Sequence, residues 1–463
     1  MKISFLGAVR TVTGSQHLLA VNGYKILLDC GMYQGNQPKE DKVEGAFDFD
    51  PAEINAVLLS HAHIDHSGNL PTLVKNGYEG PIYTTHATMH LADVMMRDSA
   101  HIQEADAEYL NRKRNGNGKQ VVKPLYTVED AKRAALQLQK MEYQAPFEPA
   151  PGILARFVEA GHILGSAAIV LDVEQDGVTH RVWYSGDIGR MNLPILRDPV
   201  LPENVDTLIM ESTYGDRLHP EPEQAERELL EALKQTFERG GKVIIPSFAV
   251  GRTQELVYVI RKLTEQGELP VVPVYVDSPL AVEASDIFRK HWQFFDEEAS
   301  EEAEPGQWGA ALEFPGLTYI RTVEESRALN EQRQPMVIIS ASGMANNGRI
   351  LHHLANTIGD SRNTILIVSF QGKNTLGRQL AEGAEKVEIF GEVYNRKAEV
   401  MQVGGFSAHA GQDLLVEYGS QARGKQVFLV HGEEPAAEAL RAKLHEAGVE
   451  RVSIPFQRQV VEI

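Results

Sequence analysis

The stretch Leu58-Leu59-Ser60-His61-Ala62-His63-Ile64-Asp65-His66-Ser67-Gly68 places four ligand-type side chains within six residues. It follows an apolar run that reads as a strand and precedes a helix start. A tight loop at that point can aim His61 and His63 at one ion and Asp65 and His66 at a second. Neutral imidazoles with a carboxylate suit Zn²⁺ or a similar borderline ion, whereas Mg²⁺ prefers an all-oxygen shell. Gathered for structural reasons alone, such groups would bury polar atoms without partners, at roughly 1–3 kcal/mol each. Metal-assisted hydrolysis is the chemistry that this spacing points to.

Six further motifs follow or precede it in a fixed order: Leu27-Leu28-Asp29-Cys30-Gly31, Gly161-His162-Ile163-Leu164-Gly165-Ser166, Tyr184-Ser185-Gly186-Asp187-Ile188-Gly189, Met210-Glu211-Ser212-Thr213-Tyr214-Gly215, Gly405-Phe406-Ser407-Ala408-His409-Ala410 and Leu429-Val430-His431-Gly432-Glu433. Taken singly, His162 reads as a core histidine, Asp187 as a turn aspartate, Glu211 as a strand-end salt bridge and His409 as a buried helix-start histidine. Taken together, the set resembles the β-CASP branch of the metallo-β-lactamase superfamily, the nucleases that act on RNA or DNA. The likeness spans essentially the whole chain. It is strongest to the endonuclease of RNA 3′-end processing and its archaeal and bacterial relatives, with ribonuclease J more distant. His431 matters within the branch, because DNA-directed members characteristically lack that histidine.

The resemblance implies a role for each residue. His61, His63 and His162 hold one Zn²⁺, Asp65, His66 and His431 hold a second, and Asp187 bridges them, giving two Zn²⁺ per chain. Asp29 orients a ligand histidine without touching metal. Asp65 shares ligation with accepting a proton from the attacking water. His409 is the general acid for the departing 3′-oxygen or a donor to a phosphate oxygen, and Glu211 keeps it protonated. Water is the nucleophile, so the ends are 5′-phosphate and 3′-hydroxyl.

Three small-residue loops, each after an apolar strand, offer contacts to substrate phosphate: Ser247 and Arg252, then Ser342 and Gly343, then Lys373 and Arg378. Phe248 and Phe370 in these loops are expected to pack into the core more than to stack on bases. His86 and His90 sit four apart on an expected helix, in surface or packing roles. The function expected is a zinc-dependent ribonuclease on single-stranded RNA, in processing or decay, with its active site in a crevice between two domains. The alternatives are a small-molecule hydrolase of thioesterase or lactonase type, a DNA-repair nuclease, and a noncatalytic partner subunit. The last loses metal ligands, and none is lost here.

The elements that must position these residues are legible more coarsely. The chain has 463 residues, 43% apolar and 24% charged, which excludes wholesale disorder and gives enough sequence for two cores. The expected fold is α/β: a metallo-β-lactamase αββα sandwich (1–212 and 405–463) split by an inserted parallel-sheet β-CASP domain (213–404). Short strands are expected at Lys2–Leu6, His17–Val21, Tyr24–Leu28 and Ala56–Ser60, and helices over 84–114 and 128–142. In the insert, helices are expected near Pro222–Arg239 and Thr253–Gln266. The apolar runs there, Val243–Pro246, Val271–Val276, Met336–Ser340 and Ile365–Phe370, are of the kind buried on both faces of a parallel sheet.

A net charge of −19 argues against broad attraction to phosphates, leaving only a local basic groove. The single cysteine, Cys30, excludes a disulfide framework and a cysteine-built zinc site. No apolar stretch reaches the roughly 18–20 residues of a membrane helix. The N-terminus reads as a first strand, not a signal peptide. A reducing cytoplasm is the expected location, with a homo-oligomer left open.

Overall fold

A computed structural model describes residues 1–33, 47–114, 121–301, 310–372 and 374–463. The chain forms two compact units. One comprises Met1–Met191, Arg197–Leu218 and His409–Ile463; the other comprises Asn192–Leu196 and His219–Ala408.

Among the described residues, the first unit holds two seven-stranded sheets. The first runs, in spatial order, through Gln459–Glu462, Lys2–Phe5, His17–Val21, Tyr24–Leu28, Ala56–Leu58, Ile82–Thr85 and Leu138–Met141. The second runs through Arg451–Ser453, Gln426–Val430, Thr207–Glu211, Val178–Tyr184, Ala167–Gln175, Ile153–Glu159 and Phe147–Ala150. Alternate residues of both sheets face a shared interior. Ile3, Phe5, Leu19, Ile26 and Leu28 of the first meet Phe157, Ile169, Leu171, Val182 and Tyr184 of the second. On the outer face of the second sheet, Val170, Trp183, Leu208, Met210 and Leu429 pack with Leu414, Leu415, Tyr418, Leu440 and Leu444 of the helices Gln412–Ser420 and Glu434–Glu446. Helix His86–Arg114 lies along the strands Ile82–Thr85 and Leu138–Met141 of the first sheet. The layering is helix, sheet, sheet, helix.

One element departs from expectation. The helix over 128–142 stops at Ala135, and Leu138–Met141 is an edge strand parallel to Ile82–Thr85. Its N-terminus is fixed by a capping box, with Thr127 Oγ1 accepting from the Asp130 N–H and Asp130 accepting from the Thr127 N–H. Beyond it, the helix-favouring run Ala134-Ala135-Leu136-Gln137 gives way because the neighbouring strand has an edge to pair.

The second unit is built on a parallel six-stranded sheet in the order Leu317–Tyr319, Val274–Val276, Met336–Ser340, Lys242–Pro246, Thr364–Ile367 and Glu399–Gln402. Every residue of Lys242–Pro246, Met336–Ser340 and Thr364–Ile367 is buried, as continuous apolar strands covered on both faces must be. The helices Pro222–Glu238 and Arg252–Glu265 are within a residue of their expected bounds. The strands Val274–Val276 and Thr364–Ile367 are shorter than the apolar runs that announced them.

Candidate dinuclear metal centre

Five strand ends deliver most of the chemistry. Tyr24–Leu28 and Ala56–Leu58 run parallel, so Asp29 and the loop His61–His66 emerge at one edge of the first sheet. Val178–Tyr184, Thr207–Glu211 and Gln426–Val430 are mutually parallel, so Asp187, Glu211 and His431 emerge together from the second. His162 comes from the turn joining Ile153–Glu159 to Ala167–Gln175. Two close approaches fix these loops. A Cβ on Gly31 would lie 1.6 Å from the Asp65 carbonyl oxygen, and one on Gly189 would lie 1.9 Å from that of Gly161. No side chain fits at either position.

The first donor set is His61 Nε2, His63 Nδ1, His162 Nε2 and Asp187 Oδ2. His63 Nδ1 lies 3.2 Å from both His61 Nε2 and His162 Nε2. Asp187 Oδ2 lies 3.5 Å from each of the same two nitrogens. Four ligands about 2.0–2.1 Å from a tetrahedral zinc are about 3.3 Å from one another, and the spacings agree. The second set is Asp65, His66 and His431, and Asp187 Oδ1 adjoins it at His66. His66 Nε2 is 3.2 Å from Asp187 Oδ1, and His431 Nε2 is 3.4 Å from Asp65 Oδ2. His66 Nε2 and Asp187 Oδ1 are buried and face each other without a hydrogen bond. Two oxygens of one carboxylate therefore serve two sets, and the donors fit a pair of cations.

The tautomers follow from the outer partners. Ser60 Oγ donates to Asp29 Oδ2 (2.7 Å), so it accepts from His61 Nδ1 (3.1 Å) and leaves His61 Nε2 with its lone pair. The Asp29 carboxylate also accepts from His66 Nδ1 (2.6 Å), the Tyr184 hydroxyl (2.7 Å) and the Ser60 N–H (2.7 Å). Thr213 Oγ1 donates to the His431 carbonyl (3.0 Å) and lies 3.2 Å from His431 Nδ1, leaving His431 Nε2 for the site. Ser60, Tyr184 and Thr213 went unassigned in the sequence, although each lies inside a quoted motif.

Burial pushes His61 and His162 well below the usual imidazole range and lowers His63, so all three are neutral and can donate a lone pair. At His66 burial acts the same way but is outweighed by Asp187 and Asp29, which raise it well above that range. Burial would raise Asp187, yet His431, His66 and His61 hold it well below the usual carboxylate range; Asp65 is also lowered, chiefly against burial by its bond to His431. The negative potential here calls for positive charge.

Beside these sets, Glu211 is fully buried and His409 is not. Both Glu211 carboxylate oxygens lie 3.1 Å from His409 Nδ1, and Oε1 also accepts from the Ile188 N–H (2.6 Å). A bridge between Gly189 and His409 and a bond from the Ala410 N–H to the Ile188 carbonyl (2.8 Å) seat the imidazole next to Asp187. Burial opposes protonation, but Glu211 outweighs it and raises His409 to about 9. Glu211 engages only Nδ1 of His409 and leaves Nε2 free of it.

In the second unit, three of the expected phosphate loops meet. A Cβ on Gly343 would lie 3.0 Å from the Phe248 backbone nitrogen, and Gln371 donates to the Gly343 carbonyl (3.0 Å). Ser247 is buried, and Ser342 Oγ accepts from the Asn346 N–H (3.0 Å). Arg252 is buried and paired with Glu255, and Arg378 is paired with Glu382 (2.6 Å). Lys373 lies outside the described residues. Phe248 and Phe370 are not core residues, at 38% and 42% exposure. They lie in the loops that follow the strands Lys242–Pro246 and Thr364–Ile367. The rings of His86 and His90 lie 5.0 Å apart on helix His86–Arg114.

The double sheet and the shared-carboxylate donor sets define a metallo-β-lactamase-type metal-dependent hydrolase. Residues 10–247 match the metallo-beta-lactamase superfamily, 253–380 the Beta-Casp domain, and 393–455 the Zn-dependent metallo-hydrolase RNA specificity domain. The chain is 39% identical to Ribonuclease TTHA0252 of Thermus thermophilus, over 95% of each chain. It is 32% identical to transcription termination factor FttA of Methanocaldococcus jannaschii, over 94% of this chain and 67% of that one. It is also 32% identical to an RNase J-like protein of the same organism, over 88% and 87%. A crystal structure of a protein of unknown function from Enterococcus faecalis shares the fold, with TM-score 0.56 and 14% identity over 99% of each chain. The chain belongs to the β-CASP ribonuclease family of the metallo-β-lactamase superfamily.

Proposed function

We propose that this protein hydrolyses phosphodiester bonds of single-stranded RNA with water as nucleophile, in RNA processing or decay, leaving 5′-phosphate and 3′-hydroxyl ends. The observation that carries the reading is His409, its Nδ1 held by both oxygens of buried Glu211, beside two donor sets that meet at Asp187. His61, His63, His162 and Asp187 would hold one zinc ion, and Asp65, His66, His431 and Asp187 the other. Bound there, the ions supply a lowered water pKa and neutralise charge developing on the phosphoryl oxygens.

The protein's own groups supply the proton transfers. Asp65 takes a proton from the water whose oxygen bonds to phosphorus. As the bond from phosphorus to the 3′-oxygen breaks, His409 Nε2 gives its proton to that oxygen, and Glu211 stabilises His409 before the transfer. The reaction needs no 2′-hydroxyl, so preference for RNA comes from binding. His431, the RNA specificity match at 393–455 and the names of the relatives support RNA over DNA. The loops carrying Ser247, Arg252, Ser342, Gly343, Lys373 and Arg378 would take substrate phosphates. Arg252 and Arg378 would exchange Glu255 and Glu382 for phosphate there. A thioesterase or lactonase reading gives the Glu211–His409 pair no task.

The test is incubation of the protein with 5′-labelled and with internally labelled RNA, beside Asp65→Ala and His409→Ala variants. Discrete fragments mark an endonuclease and 5′-mononucleotides an exonuclease, and both variants are expected to be at least 100-fold slower. Full activity in Asp65→Ala would overturn the mechanism.

A further inference from the structure

We propose that Arg10 is a positioning residue for the ligand His431, acting through the loop of residues 7–14. The inference rests on the two-cation reading above. His431 has φ +46, a left-handed conformation that costs a non-glycine residue about 1 kcal/mol or more and persists only where its surroundings impose it. Two of the contacts that impose it come from the loop between the strands Lys2–Phe5 and His17–Val21. The His431 N–H donates to the Ala8 carbonyl (2.7 Å), and the Gly432 N–H donates to the Thr11 carbonyl (3.2 Å).

That loop is no stiffer than its anchors. Ala8 and Arg10 are themselves left-handed, at φ +48 and +57, and one internal bond joins the Ala8 N–H to the Thr13 carbonyl (3.2 Å). Arg10 sits between Ala8 and Thr11, and its side chain ties the loop to two other segments. Its guanidinium pairs with Glu434, the first residue of helix Glu434–Glu446, three positions beyond His431. Nε donates to the Pro455 carbonyl (3.3 Å) and Nη2 to the Ile454 carbonyl (3.2 Å), and the plane lies over the Phe456 ring, 4.0 Å from its centroid. A lysine can keep the carboxylate pair but cannot also serve two carbonyls and stack. Arg10 touches none of the seven metal ligands in these bonds, so its effect on metal passes through Ala8, Thr11 and the backbone at His431.

The prediction is selective. Zinc release is followed in a chelator titration for the wild-type chain, Arg10→Ala and Arg10→Lys, each also in a His162→Ala and a His431→Ala background. Wild type should release two ions per chain. Arg10→Ala should release one of them at 10- to 100-fold lower chelator while the other is unmoved, with Arg10→Lys intermediate. In His162→Ala, where the second set alone is complete, Arg10→Ala should weaken the remaining ion by the same factor. In His431→Ala it should change nothing. Equal loss of both ions, an effect that survives in His431→Ala, or no shift at all overturns the inference. Fewer than two ions in wild type overturns the two-cation reading itself, a result distinct from any of these.

Discussion

At the residue scale, what separates this site from a cluster of buried histidines is that four of its imidazoles turn Nδ1 to a protein oxygen and leave Nε2 over. Ser60, Asp29 and Thr213 take the Nδ1 sides of His61, His66 and His431. Glu211 does the same for His409, whose Nδ1 lies 3.1 Å from both Glu211 oxygens and 3.9 Å from Asp187. The pair is therefore expected to act on the leaving group and not on metal retention. His409→Ala should lower kcat by roughly 10²- to 10³-fold, and Glu211→Gln, which can still accept from the Ile188 N–H, by roughly 10- to 100-fold. Zinc content by elemental analysis should be unchanged in both. Metal loss in parallel with activity would instead make the pair part of the metal site. The sequence spells out the ligands because their types and order are dense in meaning. It does not spell out Ser60, Tyr184 and Thr213, since hydroxyls with one hydrogen bond to make occur everywhere.

At the element scale, the second unit depends on a buried charge that periodicity could not announce. Asp277 follows the strand Val274–Val276 and is fully buried. It accepts from Ser326 Oγ (2.5 Å), His353 Nε2 (2.6 Å) and Arg349 Nη1 (2.6 Å), binding the helices Val323–Glu331 and Arg349–Thr357 to the sheet's edge. Burial would raise this carboxyl, but those three partners outweigh it and hold it below the usual range. A depressed carboxyl adds stability that is complete above its unfolded value near pH 4 and is lost as pH falls through the lower folded value. Asp277→Asn should lower stability at neutral pH by roughly 3 kcal/mol, because Arg349 loses its counter-charge, and should flatten the acid limb below about pH 4. Denaturant unfolding at pH 3 and pH 7 measures both; an acid limb as steep as wild type would refute it. The parallel strands here were legible as apolar runs because both faces are buried. The strand Leu138–Met141 was not, since an edge strand with one buried residue in four carries almost no pattern. Sequence also underrated Phe248 and Phe370, whose apolar character says core and whose place at strand ends says otherwise.

At the scale of the whole molecule, the first unit is assembled from the two ends of the chain. The strand Gln459–Glu462 pairs antiparallel with Lys2–Phe5, and Gln426–Val430 runs beside Thr207–Glu211. The proposed ligands follow the same division: six lie between residues 61 and 187, and the seventh is His431, on the segment that returns after the second unit. A cation held by Asp65, His66 and His431 would thus cross-link the early and late parts of one unit, while none of the seven proposed ligands belongs to the other. Free zinc at a thousand times its dissociation constant adds about 4 kcal/mol per ion to the state that binds it. For a unit of this size that corresponds to a melting shift on the order of 10 °C. Chelator removes both ions, so calorimetry with and without it should show one transition that falls by about twice that amount and a second, from the parallel-sheet unit, that stays in place. Because His431→Ala removes the cross-link but leaves the first donor set, it should produce a smaller fall than chelation does. Two transitions displaced equally by chelator, or a His431→Ala chain that melts as wild type does, would show that metal does not join the two ends of the chain.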